Sequence, residues 1–171
     1  MFGLFKSQMA PEGPIEFENV IEIEASAEEV YRLIDFADRA NAHRARGDTV
    51  MDLGGGMRFE LCLADMPDVN FCFAVSEAEP AKRYAYECSM QPRVGKLEYS
   101  QESYEIEPLG EHSCKVTQTT IAKFVDGLKL KTFASEATMM AAAVGEAQHK
   151  LKLQAEQGVE AVKEYEESRW G

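Results

Sequence analysis

Three histidines, four cysteines and a run of three glycines are the residues of this chain whose types invite chemistry. Glu146 and His149 form a Glu-x-x-His pair in a helical stretch, half of the motif that di-iron bundles use. Those bundles need matching ligands from other helices, and this chain supplies one copy and no second long helix. The pair therefore reads as a solvated or cavity-mouth pair, and no metal or cofactor is called for. His43 could act as an acid/base group or a polar gate, but no nucleophile or orienting carboxylate stands out beside it. The catalytic set is left unknown. His112, in the turn Gly110-Glu111-His112, reads as exposed. Gly54-Gly55-Gly56 might cradle a phosphate, but it joins two strands with no helix N-terminus after it, so a hairpin turn is expected. Cys62, Cys72, Cys88 and Cys114 lie apart in strand-like runs, without zinc-ribbon or redox spacing, and read as reduced thiols.

A chain of 171 residues, 45% of them hydrophobic, suits one domain with a sizeable core. Its formal charge of -12 would repel phosphate backbones and anionic headgroups, which argues against nucleic acid as a partner. No stretch approaches the roughly 20 apolar residues of a membrane span, and no apolar signal core is evident. A cytoplasmic protein is expected. Residues 1–14, with Phe2, Leu4 and Phe5 early and Pro11, Gly13 and Pro14 late, are expected to form a flexible arm, leaving 15–171 as the domain.

These groups must be positioned by elements that the hydrophobic period reveals. Ile15, Phe17, Ile21 and Ile23 alternate with glutamates, which makes Ile15 to Ala25 a half-buried strand. Ser26 and Glu29 form a capping box that opens a short helix running toward Phe36, and a second short helix is expected over Asp38 to Ala45. From Asp48 the period is two, with strands at 49–53, 57–64, 69–76, 82–90, 97–107 and 113–124. Their separators are short, so neighbours pair antiparallel. From about Thr132 to Ser168 the period is helical, with Phe133, Ala137, Met140, Val144, Ala147, Leu151, Ala155, Val159 and Val162 on one face. The fold class is therefore α+β: a seven-stranded curved antiparallel sheet, two short helices after the first strand, and a long C-terminal helix across the sheet.

Two expectations follow from that arrangement. Alanines on the helix seam leave space, so an apolar cavity should lie between sheet and helix. A helix of some 35 residues reaches roughly 50 Å against about 33 Å for a ten-residue strand, so one end should project. We expect 137–148 to roof the cavity, 151–162 to close the core and 164–169 to extend into solvent. In the hairpin around Pro67, inward Phe59, Leu61 and Leu63 match Phe71, Phe73 and Val75, and Cys62 and Cys72 fall together on the other face. Alternation also turns Asn19, Tyr86 and Gln118 inward, with Gln148 beside the helix seam. Buried amides and phenols either satisfy one another or orient the polar end of a ligand. The candidate ligand-binding set is thus Phe59, Leu61, Phe71, Phe73, Tyr86, Met90, Ala137, Met140 and Val144 with Asn19, Gln118, Gln148 and His43.

Several strings resemble the START-like or SRPBCC superfamily, whose members include polyketide cyclases, birch pollen allergens, lipid-transfer domains and a chaperone activator. They are Ile21-Glu22-Ile23-Glu24-Ala25-Ser26-Ala27-Glu28-Glu29-Val30-Tyr31, Leu53-Gly54-Gly55-Gly56-Met57-Arg58-Phe59, and Val75-Ser76-Glu77-Ala78-Glu79-Pro80-Ala81-Lys82-Arg83-Tyr84-Ala85-Tyr86. Tyr104-Glu105-Ile106-Glu107-Pro108 with Thr117 to Thr120 resembles the family's last hairpin. The resemblance implies the helix-grip fold, with His43 near the helix pair that closes one end of the cavity. It implies binding or carriage of a small hydrophobic ligand, lipid, aromatic or polyketide-like. It also admits a cyclase/dehydratase-like enzyme or a protein-interaction module resembling the chaperone activators. A second copy of the chain is left open as a partner. Hiding roughly 400 Å² of ligand would contribute on the order of 10 kcal/mol before association costs, which points to micromolar affinity.

Overall fold

A computed structural model of the chain describes residues 8–170. The apolar and acidic alternation of β1 (Ile15–Ile23) buries one face step by step until Ile23 is 1% exposed. Ser26 then opens α1 (Ala27–Ile34) with a reciprocal capping box: its hydroxyl accepts from Glu29 N at 3.2 Å while Glu29 Oε2 accepts from Ser26 N at 2.9 Å. Asp38 binds the Ala40 amide and Arg32 instead of continuing a helix, so α2 is shorter than expected, at Ala42–Arg46. Asn41 caps α2 by accepting from His43 N, and its amide donates to Leu33 O and Ile34 O at the end of α1.

The six remaining strands are β2 (Thr49–Asp52), β3 (Arg58–Cys62), β4 (Asn70–Glu79), β5 (Arg83–Gln91), β6 (Leu97–Gly110) and β7 (Ser113–Phe124). The seven form one antiparallel sheet in the order β1-β7-β6-β5-β4-β3-β2. Register shifts at Val75/Glu77 and Leu97/Tyr99 interrupt the ladders, as bulges in a strongly curved sheet do. Gly54, Gly55 and Gly56 all take positive φ in the β2–β3 turn, where Asp52 Oδ1 accepts from Gly54 N at 2.8 Å. The glycines are needed for the turn, not for an anion.

Phe59 pairs with Phe73 and Leu61 with Phe71, as the hydrophobic register requires. Cys62 and Cys72 share a face but sit diagonally, opposite Asn70 and Glu60, because the pairing centre lies one residue nearer the N-terminus than Pro67. All four cysteines are free. Of the expected flexible arm, residues 1–7 lie outside those described. Residues 8–10 run beside the segment that follows β7, with Ala10 N donating to Leu128 O at 2.9 Å and Leu130 N to Gln8 O at 2.8 Å.

The C-terminal segment departs most from expectation. It is two helices, α3 (Leu130–Gln157) and α4 (Val159–Trp170), broken at Gly158. Gly158 has φ 90° and ψ 173°, a conformation open only to glycine, and its amide closes α3 on Gln154 O. After this break α4 doubles back along α3. Lys150 pairs with Glu166 at 2.6 Å, Glu146 accepts from Arg169 at 2.5 Å and from the Tyr165 hydroxyl at 3.1 Å, and the His149 and Tyr165 rings lie 4.9 Å apart. Val162 is fully buried. Residues 164–169 therefore do not project away from the domain but lie back along α3, with Tyr165 and Glu166 half-buried and the others exposed. The Glu146/His149 pair has a mechanical use, fastening α4 to α3.

Candidate functional site

Between the concave face of the sheet and the α3–α4 hairpin lies a cavity of about 1370 Å³. Its sheet wall is aromatic: Phe36, from the α1–α2 connection, lies 4.4 Å from Phe73, Phe73 lies 5.1 Å from Tyr86, and Tyr86 lies 6.2 Å from Tyr104. Its roof is Met139, Met140, Ala143, Ala147, Gln148 and Leu151 of α3. Small side chains there leave the helix standing off the sheet, and Met139 stays 57% exposed. The volume exceeds the few hundred to 1,000 Å³ common for small-molecule pockets, so a sizeable guest fits.

Glu102 is the acidic group at the polar end of this cavity. Cross-strand pairing sets Tyr86 opposite Glu102 and Tyr104 opposite Gln118, so three central strands bring four polar side chains together on the concave face. Glu102 Oε2 accepts from the Tyr86 hydroxyl at 2.9 Å, the Tyr104 hydroxyl at 3.2 Å and Gln118 Nε2 at 2.9 Å. Burial raises the Glu102 pKa above the ordinary 4.5, against the opposing pull of those three donors and of Ser100. Burial and the neighbouring carboxylate push both tyrosines well above 10, so they remain neutral donors. Gln118 Oε1 is buried without a partner.

A second polar group stands at the mouth. His43 Nδ1 lies 2.9 Å from Asp48 Oδ2 and 3.0 Å from an Arg46 guanidinium nitrogen, and the ring stacks over Phe36 at 6.2 Å. Burial holds the His43 pKa below 6.5, with Arg46 acting the same way and Asp48 opposing, which leaves the ring neutral at pH 7. Burial also acts to raise Asp48, but bonds from His43 and the Ala64 amide outweigh it and keep the carboxylate ionised. Asp48 is the orienting carboxylate that the sequence reading did not find. It comes into place because Gly47, at φ 97°, ends α2 and turns the chain straight into β2. Neutral imidazole and buried carboxylate in one cavity can accept, hold or return a proton.

The family model described as polyketide cyclase / dehydrase and lipid transport matches residues 14–163. The chain belongs to this family. No curated protein is similar enough to match it. Among solved structures it is similar to a START superfamily protein from Mycobacterium smegmatis, at 12% identity and TM-score 0.57, covering 81% of this chain and 97% of that one. It is similar to Ara h 8.0201 at 12% identity and TM-score 0.61, over 90% and 97% of the two chains. The di-domain ARO/CYC BexL of the BE-7585A biosynthetic pathway is matched at 18% identity and TM-score 0.61, over 85% of this chain and 46% of that one. At these identities the likeness is one of fold. The polyketide cyclase-like, helix-grip architecture expected from the sequence is the one found.

Within this family member the cavity brings together nine of the thirteen candidate residues: His43, Leu61, Phe71, Phe73, Tyr86, Met90, Gln118, Met140 and Gln148. The other four do not line it. Phe59, 1% exposed, packs in the core with the sheet, and Val144, 5% exposed, is buried on α3. Asn19 offers its backbone carbonyl, not its amide, to Gln148 Nε2 at 3.3 Å. Ala137 sits on α3 beside the lining rather than in it, since the roof is formed by the stripe through Met140, Ala143 and Ala147. Missed were Glu102, Tyr104 and Asp48, together with Glu166, Glu167 and Arg169 of the returning helix. Period-two counting from Tyr104 and Ile106 would have turned Glu102 inward. Nothing in the sequence signalled the direction α4 takes.

Proposed function

We propose that the chain binds a small, largely apolar molecule in the cavity between the sheet and the α3–α4 hairpin, its polar end at Glu102. The observation that carries this reading is the cavity itself: about 1370 Å³, walled by aromatic rings and roofed by methionine and alanine. A protein with no guest would gain stability by filling that space, since unfilled apolar volume is destabilising. Methionines at the roof adapt to guests of differing shape. Among the described residues no helix is long and apolar enough to cross a membrane, and four free thiols suit a reducing compartment such as the cytoplasm. Ala147→Leu tests the reading. The added atoms point into open space, so unfolding stability should change by less than about 1 kcal/mol, whereas overpacking a filled core costs roughly 1–3 kcal/mol. Binding of a neutral apolar probe such as decan-1-ol, followed by calorimetry, should weaken several-fold. A large loss of stability with unchanged binding would refute it.

A second reading, a cyclase/dehydratase-like enzyme, is favoured by the oriented His43–Asp48 pair sharing the cavity with Glu102. Under that reading His43→Gln abolishes turnover of an enolisable aromatic ketone substrate and leaves its binding intact. Equal turnover by wild type and variant would exclude it.

A further inference from the structure

The innermost part of the cavity holds a carboxyl group with no cationic partner among the described residues: no Lys, Arg or His pairs with Glu102, whose three hydrogen bonds all end on Oε2. A buried carboxylate normally has a cationic partner, because removing a charge from water is costly. The Glu102 oxygen that accepts the two tyrosine hydroxyls also accepts from the Gln118 amide. Turning that side chain over would set oxygen against oxygen, so Nε2 must face Glu102 and Oε1 is left without a donor. Gln118 is 1% exposed and lines the cavity. The site therefore presents Glu102 Oε1, which receives none of those three bonds, next to the rings of Tyr86 and Tyr104.

We propose that this end of the cavity is an ammonium site, and that the ligand is an apolar or aromatic body carrying a primary amine. The inference rests on the apolar-cavity reading above. An ammonium brings three donors and a full positive charge. One donor meets Glu102 Oε1, and the charge is attracted to the carboxylate and to the faces of Tyr86 and Tyr104. A neutral alcohol of the same shape satisfies one oxygen and leaves the carboxylate uncompensated. A fatty-acid anion sets a second carboxylate beside the first, which is repulsive. The chain's charge of -12 adds a weaker, long-range preference for cations, which salt screens.

The experiment measures, by calorimetry in about 0.15 M salt, the affinity of the whole chain for decylamine, decan-1-ol and decanoate, which share one apolar body. Decylamine should bind about tenfold or more tightly than decan-1-ol, and decanoate more weakly than either. In Glu102→Gln the advantage of the amine over decan-1-ol, both measured on the variant, should fall to roughly threefold or less, which separates pairing at Glu102 from attraction to the overall charge. Should that variant fail to fold, the wild-type ranking decides alone. Decan-1-ol binding as tightly as decylamine, or decanoate binding most tightly, overturns the ammonium site and leaves the apolar cavity standing. Failure of all three to bind removes both.

Discussion

Glu102 and His43 are ordinary side chains made unusual by where they sit. Because burial raises the folded-state pKa of Glu102 above its unfolded value, the folded chain holds that proton more tightly. Its contribution to stability is complete below about pH 4.5 and is lost as pH rises through the folded value. Glu102→Gln removes the charge, so its thermal stability relative to wild type should improve between pH 4 and pH 7. A relative stability that falls over that range would show that Glu102 is stabilised as an anion instead. His43 titrates in the opposite sense, being held neutral by burial. Its ring should titrate below pH 6.5 by NMR, and Asp48→Asn should move the midpoint lower still, because Asp48 is the group that favours the charged ring. A midpoint above 6.5 contradicts the geometry. Both residues show why the site was only half readable from sequence. Strand alternation could locate Tyr86 and Gln118, but the acidic residue between them resembled the many solvent-facing glutamates of the same strands. Asp48 depended on a left-handed turn at Gly47 that spacing alone does not reveal.

Elements were the more legible scale, because hydrophobic period and turn residues report directly on them. The capping box at Ser26–Glu29 and the glycine hairpin at 54–56 follow from local rules that nothing tertiary overrode, whereas the β3–β4 register pairs Phe59 with Phe73 about a centre one residue before Pro67. The C-terminal helices are the exception. Apolar residues keep a helical spacing through Gly158, so periodicity read one helix where backbone freedom at a single residue makes two. Gly158→Ala should cost roughly 1–3 kcal/mol in urea unfolding, because an alanine cannot hold φ 90° with ψ 173° without strain. It should also speed hydrogen exchange over 159–170. Unchanged stability and exchange would mean that the break does not depend on glycine. The fastening of α4 is largely polar, through Glu146, Lys150, Tyr165, Glu166 and Arg169, with Val162 as its buried anchor. Exposed ion pairs of this kind contribute little singly, so α4 is the least firmly held wall of the cavity.

At the scale of the whole molecule the sheet, the α3 roof and the α4 return form a container whose sheet wall is firm and whose α4 cover is not. The firmness comes from the core beneath: Ile23, Val30, Phe59, Tyr84 and Val116 are each at most 1% exposed. The sequence made the container readable through small residues on the α3 seam, and it made the guest unreadable because family motifs mark turns and strand faces rather than chemistry. The methionines offer a direct test, since they fall on both sides of the wall. Met66, Met90, Met139 and Met140 line the cavity, whereas Met9, Met51 and Met57 are exposed and lie outside the lining. Methyl NMR spectra recorded through a titration with decan-1-ol should give saturable shifts at Met90 and Met140 and none at Met51 or Met57. Shifts confined to the outer methionines, or no saturable shift at all, would contradict a ligand cavity between the sheet and α3.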